Sequence, residues 1–469
     1  IAGGRLQLDL TFDPRVLPQD FVARLSNGMR SWLQALTGGT QPEEVRRYAL
    51  APQQLAMLEH AVAYPESPAY VVQFTARLPA QLEIDDFIAA WQAVLSRHLS
   101  LRAGFAIGES GKAGQYFCEP AALAWQREDW SVLPEEEADA AFDVYCRQDR
   151  QRGFDLTKPP LMRFSLLTTK TGCHFVWTYH HILIDGWSMP VLLSEVMAAY
   201  GKQLTTMRAP DFRVFLDWLA RQDGAAARSF WRSELAGMKP SRWPAAPDAS
   251  CSGNFAEISV QPQAGTGARL STFARKHRLS APSIFMLAWA LVLARHSNAD
   301  EVCFGVTSVL RPADIDGIET MVGNLINTPP LRCKIDLAAG FVAACLQLQR
   351  RRVATTAHAA LALSEIAECI GLSDGDALFG TALRIQNYPL GDVGQGNAAL
   401  QVGDVAICDQ WHYPFNLEVT PGEQLSLIAV YDAGLVSEAK AGAMLRSYAA
   451  LLDVLDESTL GILMEGLHV

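Results

Sequence analysis

Two lobes of mixed α/β structure are what the sequence predicts. Strand-like alternation and helix-like periodicity interleave along the whole chain. A Pro-, Ser- and Ala-rich stretch, 237–253, interrupts that pattern near the middle. The stretches on either side are each roughly 200 residues, a common domain size. The chain has 469 residues, of which 49% are hydrophobic and 19% charged. That composition can bury sizeable cores without disulfide staples.

At the start, Leu6, Leu8 and Leu10 alternate with polar residues, as a half-buried strand does. Phe21, Leu25, Met29, Trp32, Leu33 and Leu36 then recur at helical spacing, up to Gly38-Gly39. The same unit returns at the other end. Leu425, Leu427 and Ala429 alternate, Tyr431-Asp432 follow, and a helix carries Met444, Tyr448, Leu451, Leu452 and Leu455. An offset of 419 places Leu6 on Leu425, Phe12 on Tyr431, Asp13 on Asp432, Leu25 on Met444 and Trp32 on Leu451. We read residues 1–37 as the tail of a preceding homologous domain and 38–45 as a linker. Two unrelated amphipathic strand–helix pairs would give the same pattern.

The main body begins near Arg46. Leu55, Leu58 and Val62 predict a first helix, and Ala69 to Phe74 a strand. Phe87, Trp91, Val94, Leu95 and His98 predict one face of a second helix. Cys173 to Ile184 reads as a strand. Residues 46–236 form the expected N-terminal lobe, 237–255 the link and 256–469 the C-terminal lobe. In the latter, Pro282 to Ser297 predicts a nearly continuous apolar helix and Val302 to Leu310 a buried strand.

The net charge of −11 disfavours nucleic acid as a partner, which would require basic surface to neutralise phosphates. There is no apolar run of about 18 residues to span a membrane and no signal-peptide pattern. Nine scattered cysteines without a CxxC pair fit free thiols in a reducing cytoplasm.

The segment YHHILIDGWS, 179–188, carries the chemistry. A strand period of two puts Phe175, Trp177, Tyr179 and His181 on one face and Val176, Thr178 and His180 on the other. One histidine can then enter a cavity while the other supports the backbone. Asp185-Gly186 supplies a turn. Two packed histidines beside a turn would be the structural alternative. A metal site is disfavoured, because adjacent strand residues diverge and no third ligand has a familiar spacing.

HHILIDG fits the HHxxxDG signature of condensation domains and of acyltransferases of the chloramphenicol acetyltransferase type. Its neighbours add to the resemblance in family order: YALAPQQLAMLEH (48–60), SRHLSLRAGF (96–105), APDFRVFLDW (209–218), SVLRPADIDGIETMVGNLINTPPLR (308–332), LRIQNYP (383–389) and HYPFNLEV (412–419). The chain thus resembles a condensation domain of a non-ribosomal peptide synthetase from residue 46 to about 460. Departures are Leu310 in place of the usual Gly, Gln54-Leu55 in place of Glu-Gly, and Pro329-Pro330 after Asn327-Thr328. The residues after the signature differ from those of epimerisation domains. The LxPxQxxMLxH pattern, Leu50 to His60, is similar to the type that follows an epimerisation domain and takes a D-configured donor.

The resemblance implies two chloramphenicol acetyltransferase-like lobes in a V-shaped pseudo-dimer with a central tunnel. It implies amide-bond formation between a donor acyl or peptidyl thioester and an acceptor amine. Both would ride on phosphopantetheine arms of partner carrier domains, and the chain would need no cofactor of its own. Epimerisation and adenylation domains would be its neighbours in a larger synthetase. His181 is the implied catalytic residue, as general base or as a positioning and stabilising group. Asp185 is expected to pair with Arg311, and Gly186 to let substrate approach closely. His180 and Arg102 are expected as support. Tyr179, Trp187, Ser188 and Asn327 are candidates for the tunnel wall. A coenzyme A-dependent or free-standing acyltransferase and an inactive recruitment module are the alternatives.

Overall fold

The computed structural model describes residues 47–108, 111–120, 122–240, 243–245, 252–336, 340–372, 377–386 and 402–455. The expected tail 1–37, the linker 38–45, much of the inter-lobe stretch and Asn387 to Pro389 lie outside these residues.

Before residue 240 the strands are β1 (Val71–Leu78), β2 (Ala103–Ile107), β3 (Ala113–Phe117), β4 (Trp125–Asp129), β5 (Met162–Thr168) and β6 (Cys173–His180). After residue 254 come β7 (Phe255–Val260), β8 (Glu301–Val306), β9 (Ser308–Val309), β10 (Ile326–Asn327), β11 (Pro330–Lys334), β12 (Thr381–Ile385), β13 (Gly403–Cys408), β14 (Phe415–Thr420) and β15 (Ser426–Asp432). They form a five-stranded sheet in the order β13-β1-β6-β5-β4 and a six-stranded sheet in the order β11-β8-β12-β14-β15-β7. Two short ladders, β2–β3 and β9–β10, flank them.

Every residue of β6 is buried, because both faces of the first sheet are covered. On one face Phe175, Trp177 and Tyr179 join a core with the helix Ile84–Arg97. That helix opens with Asp85 and Asp86, which suit the positive end of its dipole. It buries Phe87, Trp91, Val94 and Leu95, and the Trp91 and Trp177 rings lie 4.8 Å apart. His98 caps its end and is buried as well. On the other face Thr178 donates to Asp149 at 2.5 Å, on the helix Glu135–Gln151.

The helix Ala281–Ser297 is the second core's axis. Twelve of its residues are buried, as expected of a helix apolar on all sides. Pro282 sits in its first turn, and Asn298 closes it in the left-handed region, with φ 52°. Trp289 stacks on Phe415 and meets Tyr448 edge-on.

Three local expectations change. The strand read over 173–184 stops at His180, because the turn that follows uses the backbone differently. The strand read over 302–310 divides at Thr307 into β8 and β9. The first helix is present as Pro52–Ala63, but Val62 is 50% exposed and stays out of the core. The chain also crosses the division expected between 46–236 and 256–469. Strand β13, from the later stretch, completes the first sheet by pairing with β1, Thr75 opposite Ala406. Among the described residues no single helix is long and apolar enough to cross a membrane.

Candidate active site

The turn after β6 is built by its own backbone groups. His180 Nδ1 accepts from Ile182 N–H at 3.1 Å, and His180 C=O accepts from Leu183 N–H at 3.1 Å. Those two bonds end the strand. His181 N–H is then satisfied by Tyr70 C=O at 2.8 Å. Tyr70 has φ 69°, a costly left-handed conformation for a bulky residue. That conformation stands directly before β1, at the residue whose carbonyl holds His181. His181 therefore sits in a turn, not on the strand face shared by Trp177 and Tyr179. Side chains from elsewhere fix the rest of the backbone. Gln54 Nε2 donates to Ile182 C=O at 3.0 Å, and Asn324 Nδ2 to His181 C=O at 2.9 Å.

Asp185 is 0% exposed and locks the far end of this turn. Its carboxylate accepts from Ser188 N–H at 2.8 Å, Ser188 Oγ at 2.7 Å and Leu325 N–H at 3.2 Å. Arg311 Nη2 reaches both carboxylate oxygens at 3.1 Å, and its Nη1 donates to the carbonyls of Ile318 and Met321. Asp185 N–H and Ser188 Oγ both donate to Gly323 C=O. The expected Asp185–Arg311 pair is thus present, and it ties the turn to the segment 311–325.

The two histidines meet different partners. His180 contacts the Phe154 and Tyr70 rings, and burial lowers its pKa to about 3, with His181 and His60 adding to the effect. It is neutral at ordinary pH. The His181 ring stands perpendicular to Trp411, with centroids 5.8 Å apart. Its Nε2 lies 3.7 Å from Asp409 Oδ2, an ion-pair rather than a hydrogen-bond distance. Its Nδ1 is buried and has no hydrogen-bond partner among the described residues.

Asp409 belongs to a buried cluster. Arg384 donates to both Asp409 and Glu418, and lies 5.3 Å from the Trp411 ring centroid. Burial alone would push the Asp409 carboxyl up, but Arg384 and His181 outweigh it and hold the group below the ordinary carboxylate range. Burial prevails at Glu418, which is raised despite Arg384.

Other sequence candidates fall into supporting positions. Ser188 is fully buried with its hydroxyl spent on Asp185 and Gly323, so it is not a tunnel wall. Tyr179 is buried in the first core, against Trp177 at 4.5 Å. Asn327 donates to the carbonyls of Ala359 and Leu361 and accepts from Thr328 N–H. Its amide ties β10 to the turn that follows the helix Phe341–Ala357. Arg102 donates to Cys118 C=O at 2.6 Å, closing the link between the second helix and β3. Gly186 and Trp187 are half-buried in the turn.

Residue-type reasoning assigned no role to Gln54, Tyr70, Asn324, Arg384, Asp409, Trp411 or Glu418. The segments that hold Gln54, Asn324, Arg384 and Glu418 were flagged by motif, but pairwise spacing along a chain does not reveal a cluster assembled from distant strands. Among the described residues no group of three or more His, Cys, Asp or Glu converges as a metal ion would need.

Comparison with known proteins follows the same lines. The family described as the condensation domain matches residues 44–460. The chain is 33% identical over 398 residues to a linear gramicidin synthase protein of Brevibacillus parabrevis, covering 82% of this chain and 8% of that protein. It is 31% identical over 377 residues to chondramide synthase cmdD of Chondromyces crocatus, covering 79% of this chain and 10% of that protein. It therefore spans only a small part of the length of these relatives. A solved starter condensation domain of rhizomide synthetase RzmA has a TM-score of 0.74 at 20% identity, over 87% of this chain and 94% of that one. The X-domain from teicoplanin biosynthesis has a TM-score of 0.72 at 22% identity, over 89% of this chain and 96% of that one. Those two likenesses carry the mixed α/β fold.

Proposed function

That this chain belongs to the condensation-domain family, acyltransferases of non-ribosomal peptide synthetases, is the premise from which we propose its reaction. It joins a donor acyl or peptidyl thioester to the amine of an acceptor aminoacyl thioester, each carried on the phosphopantetheine arm of a partner carrier domain. The acceptor nitrogen attacks the donor carbonyl carbon and forms the C–N bond. The N–H proton passes to His181. Collapse breaks the C–S bond, and the proton leaves with sulfur as a thiol. The thioester is already activated, so positioning and proton handling supply the catalysis. Holding both reactants together is worth on the order of 7–11 kcal/mol in ideal cases.

The observation that carries this reading is the environment of His181. It is the one histidine of the pair whose ring nitrogen is buried without a partner among the described residues, while its backbone is held at both N–H and C=O. An imidazole so held is suited to accept a proton in its neutral form. His180, Asp185, Arg311 and Gly186 act as scaffold for that ring.

The donor is proposed to be D-configured, on the strength of the Leu50 to His60 pattern and of the tail read over 1–37. An upstream epimerisation domain and a cytoplasmic setting belong to the same proposal.

The test uses a donor carrier loaded in turn with D- and L-configured residues and an acceptor carrier loaded with an amino acid. Intact mass of the acceptor carrier reads transfer. Gain of the donor mass, faster with the D-form and dependent on the carrier, is the expected result. Equal transfer from coenzyme A thioesters would favour the free-standing acyltransferase. No transfer from any donor, by a folded sample, would favour a recruitment module.

A further inference from the structure

Behind His181 two carboxylates share one guanidinium. Arg384 donates to both Asp409 and Glu418, whose side chains are 7% and 13% exposed. Trp411 Nε1 fixes Asp409 Oδ2 at 3.0 Å, and Gln386 Nε2 fixes Glu418 Oε2 at 2.7 Å. Asp409 Oδ1 is buried and has no hydrogen-bond partner among the described residues. Burial raises Glu418, but the Asp409 carboxyl is held below the ordinary range, and Asp409 is the member that faces His181. Among the other titratable neighbours, His180 is buried and neutral, and the Tyr70 hydroxyl is engaged with His412. Arg384 donates to the same Asp409 oxygen that His181 faces, so it tempers the carboxylate charge as well as holding it.

We infer that Asp409 is a positioning residue for the proton transfer: its carboxylate, held by Arg384 and Trp411, orients the His181 ring and stabilises the imidazolium formed when the acceptor amine gives up its proton. This rests on the proton-accepting role proposed for His181. As the C–N bond forms, the proton leaves the amine nitrogen for His181 and the new positive charge appears beside Asp409. As the C–S bond breaks, the same proton goes to sulfur and the charge disappears. A carboxylate at ion-pair distance thus stabilises the charged ring more than the neutral one, which is what lowers a barrier.

The experiment compares the full chain with Asp409→Asn and Asp409→Glu, using identical loaded carriers so that titration of the acceptor amine is common to all. Asparagine keeps the shape and removes the charge. The acid limb of the kcat/KM profile is expected to move about one unit to lower pH, with a plateau rate lower by about tenfold. Asp409→Glu keeps the charge and is expected to keep the limb at its wild-type position, whatever its rate. A lower rate with an unmoved limb in Asp409→Asn would mean a merely structural residue and overturn the inference. Should Asp409→Asn not fold, a displaced limb in Asp409→Glu would overturn it equally. If His181→Ala loses transfer while Asp409→Asn keeps both rate and limb, only this inference falls. If His181→Ala keeps the wild-type rate, the role proposed for His181 falls with it.

Discussion

The Asp185 carboxylate accepts from Ser188, Leu325 and Arg311, and so joins the turn after β6 to a segment more than a hundred residues downstream. Arg311→Ala would leave it buried and unpaired, a change that costs about 3–5 kcal/mol. The expected outcome is a lower denaturant midpoint together with loss of transfer, because the His181 turn loosens as the lock opens. An unchanged midpoint would show that the pair contributes nothing. Ser188→Ala should be milder, about 1–3 kcal/mol, since it removes one hydroxyl from the same network and leaves Gly323 N–H unsatisfied. At this scale the sequence was legible where a motif had a partner of fixed chemistry, as with Asp185 and Arg311. It was silent on Asp409, Arg384 and Glu418. No spacing links β12, the segment before β14 and β14 until the sheet brings them together.

Elements set the site through their ends rather than their middles. β6 delivers His180 and then stops, because the His180 side chain and carbonyl take the next two available N–H groups. Alternation predicted the strand well through Tyr179, where side chains decide. It failed at His181, where backbone bonding decides. Gly323 is a second such point. A Cβ there would meet the Phe212 ring at 2.4 Å, on the helix Phe212–Ala220. Gly323→Ala is therefore expected to destabilise by about 1–3 kcal/mol through overpacking. It should also displace the carbonyl that receives Asp185 and Ser188. Thermal unfolding alongside the transfer assay checks both effects, and an unshifted melting point would show that Phe212 yields freely.

Across the whole molecule, β13 carries the chain from the second sheet into the first and back just ahead of Asp409, so the His181 environment depends on both sheets at once. The α/β class and the main core helices were readable from periodicity. This crossing was not, because the short apolar run Val405 to Cys408 can mark a strand but carries nothing to say which sheet it joins. Buried histidines also tie global stability to pH. Burial lowers His180 to about 3 and His60 to about 4. An unfolded histidine binds its proton near 6.5, so below that value the unfolded chain takes up more protons and stability falls with pH. Their contribution is complete above about pH 6.5 and together diminishes by about 4 kcal/mol at pH 5, which denaturant midpoints at the two pH values would reveal. The most direct test of the proposed chemistry compares wild type with His181→Ala, reading donor mass on the acceptor carrier over time. A fall of about 10²–10⁴-fold with an unchanged melting point is the predicted result. Transfer at the wild-type rate by His181→Ala would contradict it.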